Sequence, residues 1–493
     1  MNFARDVVDA AEPAALALVE LARDGRRREW RFGEVAEGAA RLAGWMRARE
    51  IVRGDVVMTL VGNRPEWVMA MVACFRIGAV VLPCTEQLRP KDLAQRVGVV
   101  CPALVLADPR NRATLELAAL GCPVTYLDEP GLFDGRDVAE AVALGPRDPC
   151  LLTFTSGTSG EPKAVLHGQR YLAGQAVQAE HWLAAARGEL VWCTAASGWS
   201  KSARNAFVAP WLRGAAALLH DARFDPAERL ELLERERVAV LCMAPTEYRV
   251  IAARVALRRF PALRGLVAAG EALNPEVLRV WQEATGLAIR DGYGQTETGQ
   301  LTGMPAGGEI RPGSMGRALP GVRLWIEDGE LVADPATVPT FFLGYVGADR
   351  AGDPGGAADA APGSPVDAVW RTGDRVREDA DGFLFFEGRT DDVIISAGYR
   401  IGPFEVESAL VEHPAVAEAA VVAAPDPERG TVVRAVVVLC AGFAGTPELV
   451  RELQEHVKAA TAPYKYPRVV EWADELPKTA NGKVRRALLR GDG

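Results

Sequence analysis

Apolar positions along the first 150 residues alternate between two patterns. Continuous apolar runs at Val56 to Val61, Ala79 to Leu82, Leu104 to Asp108 and Val124 to Leu127 predict buried strands, and Trp30 to Phe32 predicts a strand edge. Between them, Phe32 to Arg49 and Glu66 to Ile77 carry apolar residues every three or four positions and predict helices with one buried face. The alternation resumes with strands at Leu190 to Cys193, Val238 to Met243 and Leu266 to Glu271, and a helix over Pro226 to Glu236. Strands alternating with helices imply parallel sheets covered on both faces, with ligands at the carboxyl ends of the strands. From Arg317 to Phe386 short strands and turns predict a β-rich subdomain. Residues 390–493 read as a separate unit, with helices over Gly402 to Glu412 and Thr446 to Ala460 and strands at 416–423, 432–439 and Val469 to Trp472. Residues 347–368 are rich in Ala, Gly, Asp and Pro and read as an exposed loop with no assigned role.

Composition narrows the classes. A chain of 493 residues exceeds what one core serves. A net charge of −9 argues against nucleic acid or an anionic membrane as the main partner. No apolar run is long enough to span a bilayer, and the start, MNFARDVVDAAEP, lacks a signal peptide's apolar core. The eight cysteines are scattered without a CxxC pair, so reduced, mostly buried thiols in a cytoplasmic protein are expected. Seven of the 56 basic residues are lysines. Where arginine serves as the generic cation, a retained lysine hints at a site that needs a compact ammonium. Lys163, Lys201 and Lys483 all fall in candidate sites.

The most informative stretch is LLTFTSGTSGEPKAVLHG, Leu151 to Gly168. A short apolar strand empties into Thr155, Ser156, Gly157, Thr158, Ser159 and Gly160, followed by Lys163. Glycines let backbone N–H groups close on a ligand, hydroxyls add donors and the lysine adds a point charge, which together suit a polyphosphate. The nucleotide-kinase pattern GxxxxGK[ST] is absent. A flexible Ser/Gly turn is the plainer alternative. Further along, Asp291, Gly292, Tyr293, Gly294, Gln295, Thr296 and Glu297 follow a strand predicted at Leu287 to Arg290. A tyrosine between glycines can lie against a purine, and Glu297 is a hard oxygen ligand of the kind Mg²⁺ prefers. Trp370 to Asp374, WRTGD, ends in a carboxylate able to accept two hydroxyl hydrogen bonds. Near the end, Asn481 and Gly482 predict a tight turn presenting Lys483, with Arg485, Arg486 and Arg490 following as a basic tail.

TSGTSGEPK resembles the phosphate loop of the adenylate-forming superfamily of acyl-CoA synthetases, luciferases and adenylation domains. The resemblance extends over nearly the whole chain, with the motifs in family order. It implies an α/β fold, with a large N-terminal region (residues 1–389) of two α/β subdomains plus the β-rich subdomain. A small mobile α+β C-terminal domain (390–493) would carry a catalytic lysine, Lys483. It implies phosphate binding by the 155–160 loop and Lys163, and Mg²⁺ on Glu297 with Thr296 at the phosphates. Adenine would lie between Tyr293 and the segment Gly270, Glu271 and Ala272. The ribose would meet Asp374 and Arg389. In GRTDDVIISAGYRI, Asp391 would be the hinge, Gly398 and Tyr399 would border a pantetheine channel, and Arg400 would approach phosphate.

Gly198, Trp199 and Lys201, with Thr246 and Gly294, resemble the acyl pocket of the medium-chain acyl-CoA synthetase branch. The implied activity is an AMP-forming acid–thiol ligase that uses ATP, Mg²⁺ and coenzyme A on a medium-chain fatty, branched or aromatic acid. Transfer to a free carrier-protein phosphopantetheine and a non-catalytic nucleotide-binding role are the alternatives, no carrier domain being expected after Gly493. Monomer and homodimer both fit.

Overall fold

The computed structural model describes residues 1–155, 162–270, 273, 275–347, 369–390, 392–396, 399–426, 429–478 and 483–490. Most of the predicted strands and helices are present within a residue or two, while the strands expected at Trp30 to Phe32, Leu287 to Arg290 and 416–423 are Arg27–Arg31, Ile289–Gln295 and Val416–Asp426. Val56–Leu60, Val80–Cys84 and Leu104–Ala107 are fully or almost fully buried strands, and Phe32–Arg47 and Pro65–Ile77 are helices. Pro65 opens the second helix and Gly78, in the left-handed conformation, closes it.

The sheets are more interleaved than the order of the chain implies. Among the described residues one sheet has seven strands and is built mainly from residues 56–168. A second has nine strands, built mainly from 190–318. The first hairpin, Leu16–Leu21 with Arg27–Arg31, joins the nine-stranded sheet by pairing with Ala216–His220. In return Gly344–Val346 crosses back to pair with Ala164–Gly168 of the seven-stranded sheet. Both sheets are therefore mixed, parallel at their centres and antiparallel at edges. The wholly parallel sheets expected from the alternation are corrected at those edges, because consecutive strands joined by tight connections pair antiparallel. Leu324–Glu327, Glu330–Ala333, Trp370–Glu378 and Leu384–Arg389 form the small β-rich sheet.

The chain leaves that sheet at Arg389 and enters a further sheet at Ile394–Ser396, with Val416–Asp426, Gly430–Leu439 and Val469–Trp472. This last unit packs on the β-rich sheet through Phe404 against Phe386, with ring centroids 5.9 Å apart. The residues after Lys483, for which a basic tail was the plainer alternative, form a helix, Arg486–Arg490. Arg486 pairs with Glu407 at 2.7 Å and Arg490 with Asp392 at 2.6 Å, so the cations are spent on docking the C-terminus.

The two large sheets are stitched where their strands end. The Asn63 side chain accepts from the Ser197 N–H (2.8 Å) and donates to the Ala195 carbonyl (3.2 Å), and the Ser197 hydroxyl donates to the Val61 carbonyl. Gly198, with φ at +93°, brings the two backbones together, and a Cβ there would lie 2.3 Å from the Thr85 nitrogen. Gly198→Ala is expected to lower stability by about 1–3 kcal/mol through strain and forced separation. Thermal unfolding will show it as a lowered midpoint.

Candidate active site

A cavity of about 1920 Å³ opens where these units meet. It exceeds the ~300–1,000 Å³ of a drug-sized ligand site and has room for a nucleotide and a second reactant. Residues from both large sheets, the β-rich sheet and the C-terminal unit line it.

One end is organised around Asp374, which is 5% exposed. The Tyr293 hydroxyl donates to Asp374 Oδ2 at 2.5 Å and Gln295 Nε2 donates to the same oxygen at 2.9 Å. Gln295 Nε2 also reaches the Thr372 carbonyl at 2.7 Å, and its amide oxygen accepts from Trp370 Nε1 at 3.0 Å. The indole thus fixes which way the amide points. Arg389 Nε lies 3.7 Å from Asp374 Oδ1. Burial raises the Asp374 pKa, opposed by Tyr293, Arg389, Gln295 and the charge of Lys483. Sequence reasoning gave Tyr293 to the base and Asp374 to the ribose. The direct bond between them, across 81 positions, had no local signal.

The DGYGQTE segment is not a turn after a strand. Ile289–Gln295 is itself a strand, and Thr296 and Glu297 lie in its connection to the antiparallel strand Gly299–Gly303. Its glycines answer to that neighbour. A Cβ on Gly294 would fall 1.9 Å from the Gly299 carbonyl oxygen. Asp291 is buried, and burial lifts its carboxyl well above the usual range, with Lys201 pulling the other way. Gly270 ends its strand at φ +101°, while Glu271 and Ala272 lie outside the described residues.

At the phosphate end the loop neck is closed by two hydrogen bonds of 3.0 Å, Thr155 N–H to the Lys163 carbonyl and Lys163 N–H to the Thr155 hydroxyl. The loop tip, 156–161, lies outside the described residues. The strand before it and the strand after it are antiparallel neighbours, so the loop is a hairpin tip. Lys163 Nζ sits 5.1 Å from the centroid of the Tyr345 ring, and the Tyr345 hydroxyl donates to Glu297 Oε1 at 2.9 Å. Tyr345, which sequence reasoning missed, thereby links the phosphate-loop lysine to the candidate metal carboxylate.

Trp199, Lys201, Thr246 and Gly294 line the cavity, and Lys201 Nζ donates to the Ala269 carbonyl at 3.1 Å. Gly198 does not line it; its place is the seam between the sheets. From the C-terminal unit, Lys478 bridges to Val484, which sets Lys483 on the cavity wall within electrostatic reach of Asp374. Tyr399 is 53% exposed, stacked on Tyr464 with centroids 4.4 Å apart, and away from the cavity. Asp391, Gly398, residues 479–482 and the Arg400 side chain lie outside the described residues.

Behind the Thr296 turn, His167 is fully buried and neither ring nitrogen has a hydrogen-bond partner of normal geometry, although the Thr296 and Thr340 backbones are near. Burial pulls its pKa down to about 3.

Family models match the chain twice, AMP-binding enzyme over residues 6–339 and AMP-binding enzyme C-terminal domain over 405–483. The chain is 39% identical to acyl-coenzyme A synthetase ACSM4, mitochondrial, of Rattus norvegicus, covering 99% of this chain and 90% of the relative. It resembles the crystal structure of Brucella canis acyl-CoA synthetase with a TM-score of 0.74 at 33% identity, covering 100% of this chain and 94% of that one. The anthranilate CoA ligase AuaEII in complex with anthranoyl-AMP superposes with a TM-score of 0.87 at 25% identity, covering 99% and 96%.

Two outcomes follow from this geometry. Trp370→Phe frees the Gln295 amide and is expected to raise the KM for ATP about 3- to 10-fold with kcat little changed, the cost of about one hydrogen bond. Unfolded histidine titrates near ~6.5, so the unfolded chain binds a proton that folded His167 refuses as pH falls from there toward about 3. Stability is lost across that window, and denaturant unfolding at pH 7 and pH 4.5 should show His167→Gln losing less than the parent.

Proposed function

The chain belongs to the AMP-binding enzyme family and is an AMP-forming acyl-coenzyme A synthetase, and on that premise we propose how its own residues divide two half-reactions. The observation that carries the reading is the convergence of Asp374, from the β-rich sheet, and Lys483, from the C-terminal unit, on one cavity. Asp374 and Arg389 hold the ribose, with Tyr293 against the base. The 155–160 loop and Lys163 hold the phosphates, and Lys201 faces the acid. A carboxylate oxygen attacks the α-phosphorus and pyrophosphate leaves with the bridging oxygen. Lys483 spans the attacking oxygen and the α-phosphate, where charge grows in the transition state.

Glu297 fits a magnesium site. One of its oxygens is taken by Tyr345 and the other remains for a cation. No cluster of three metal-binding side chains exists among the described residues, as suits an ion bound by one carboxylate and substrate phosphates. Mg²⁺ held there would offset charge on the leaving group.

In the second half-reaction the CoA sulfur attacks the acyl carbon, the carbon–oxygen bond to AMP breaks and the thiol proton passes to solvent. Lys483 and the pantetheine arm cannot share one face of the adenylate. Tyr399 now faces outward, so the domain 390–493 turns about Asp391 to exchange Lys483 for the Tyr399 face. The likeness to the anthranoyl-AMP complex supports the present arrangement as the adenylate-forming one. The acid is a medium-chain fatty, branched or aromatic carboxylate. The cytoplasm is the proposed location, and no helix among the described residues is long and apolar enough to cross a membrane.

Lys483→Ala is expected to slow pyrophosphate formation ~100-fold or more while supplied acyl-AMP and CoA still yield thioester. Equal loss in both half-reactions would refute the division of labour. Asp391→Pro should lock one arrangement and spare one half-reaction, read in the same pair of assays.

A further inference from the structure

Arg204 is a cation without a counter-ion in the cavity wall. It is 5% exposed, and its Nε and Nη1 are buried with no hydrogen-bond partner. Its guanidinium lies beside the Tyr171 hydroxyl, and no carboxylate among the described residues forms an ion pair with it. The neighbouring acids are otherwise engaged. Glu247 is held by Arg229 at 3.2 Å and by the Thr194 hydroxyl, and burial works against the charged form of Asp291, whose carboxylate accepts from the Gly292 N–H. Leaving a buried guanidinium unpaired is costly, so such a group in a ligand cavity is a site awaiting an anion.

The surroundings indicate which reactant supplies it. The phosphate and ribose cations, Lys163, Arg389 and Lys483, belong to other elements of the site. Arg204 instead follows Lys201 by three positions in the continuous helical run from Ser200 to Val208, which puts the two on neighbouring turns of one face. The Cys242 thiol, at the end of its strand, feels both charges. One cation for the carboxylate that is activated and a second a helical turn away describe a substrate with two anionic ends.

We infer that the acyl substrate carries a second carboxylate, bound by Arg204 while Lys201 meets the carboxylate that is adenylated. Residues three apart on a helix have Cβ atoms ~5–6 Å apart, and two cations borne at that spacing fit a dicarboxylic acid of about four to six carbons. This rests on the acyl-CoA synthetase reading and departs from it on the acid, a short diacid in place of a medium-chain fatty, branched or aromatic one. A planar guanidinium grips a carboxylate through paired N–H groups, and a pocket built around it rejects an acid that leaves it empty.

The test is AMP release with Mg·ATP and CoA over matched acids, succinate against butyrate and adipate against hexanoate, for the parent, Arg204→Met and Arg204→Lys. The parent is expected to prefer the diacid in kcat/KM by about 100-fold. Arg204→Met should reverse that preference, and Arg204→Lys should keep part of it. The parent comparison needs no variant and so survives a failure of either to fold. Preference for the monoacids by the parent, or loss in Arg204→Met that is equal for both acids and appears in the KM for ATP, would overturn the inference alone. Turnover with octanoate or benzoate but with neither diacid would overturn this inference alone, and no turnover with any of these acids would overturn the acyl-CoA synthetase reading and this inference with it.

Discussion

A buried carboxylate is the constraint on which the rest of the site depends. Asp374 is removed from water, and burial raises its pKa. An ionised group in that position persists only if donors surround it. Those donors come from distant parts of the chain. Tyr293 and Gln295 arrive on the last parallel strand of the nine-stranded sheet, and Trp370 orients Gln295 from the β-rich sheet. Arg389 stands at the exit of that sheet, and Lys483 closes from the C-terminal unit. The groups that satisfy the carboxylate also shape the space for a nucleotide, so the stability of the buried charge and the preorganisation of the site are one arrangement.

The interleaving of the two large sheets has the same consequence. Gly344–Val346 returns to pair with Ala164–Gly168, and its middle residue, Tyr345, comes over Lys163 and onto Glu297. Gly198 and Asn63 fix the seam where both sets of strands end. A cavity at such a seam has rigid walls on two sides and a separately packed unit on the third. Lys483 reaches the cavity from a unit that touches the β-rich sheet through Phe404 on Phe386, a contact compatible with the proposed turn about Asp391.

The regular elements were legible in the sequence because apolar runs and helical spacing are local signals, and the proposed phosphate loop stands out because its glycines and hydroxyls are contiguous. What failed were features set by partners far along the chain. The strand predicted to stop at Arg290 runs on through DGYGQ to Gln295, because Gly299–Gly303 pairs with it as a hairpin. Arg486 and Arg490 look like a basic tail until Glu407 and Asp392 are found opposite them. Trp370 was only the start of the WRTGD stretch, and its role needed Gln295 in view. Gly198 was rightly singled out for the wrong reason, since its missing side chain admits a backbone and not a ligand. Arg204 gave no signal, because an arginine lacking a partner is visible only when its surroundings are known.

The central claim is that one cavity makes an acyl-adenylate with Lys483 inside and passes it to CoA after Lys483 withdraws. Rapid-quench measurement of pyrophosphate with Mg·ATP and a competent acid, with and without CoA, tests it most directly. The account predicts a single burst per site without CoA and continuous turnover with it. Continuous pyrophosphate release without CoA, or a single burst in both runs, would contradict it.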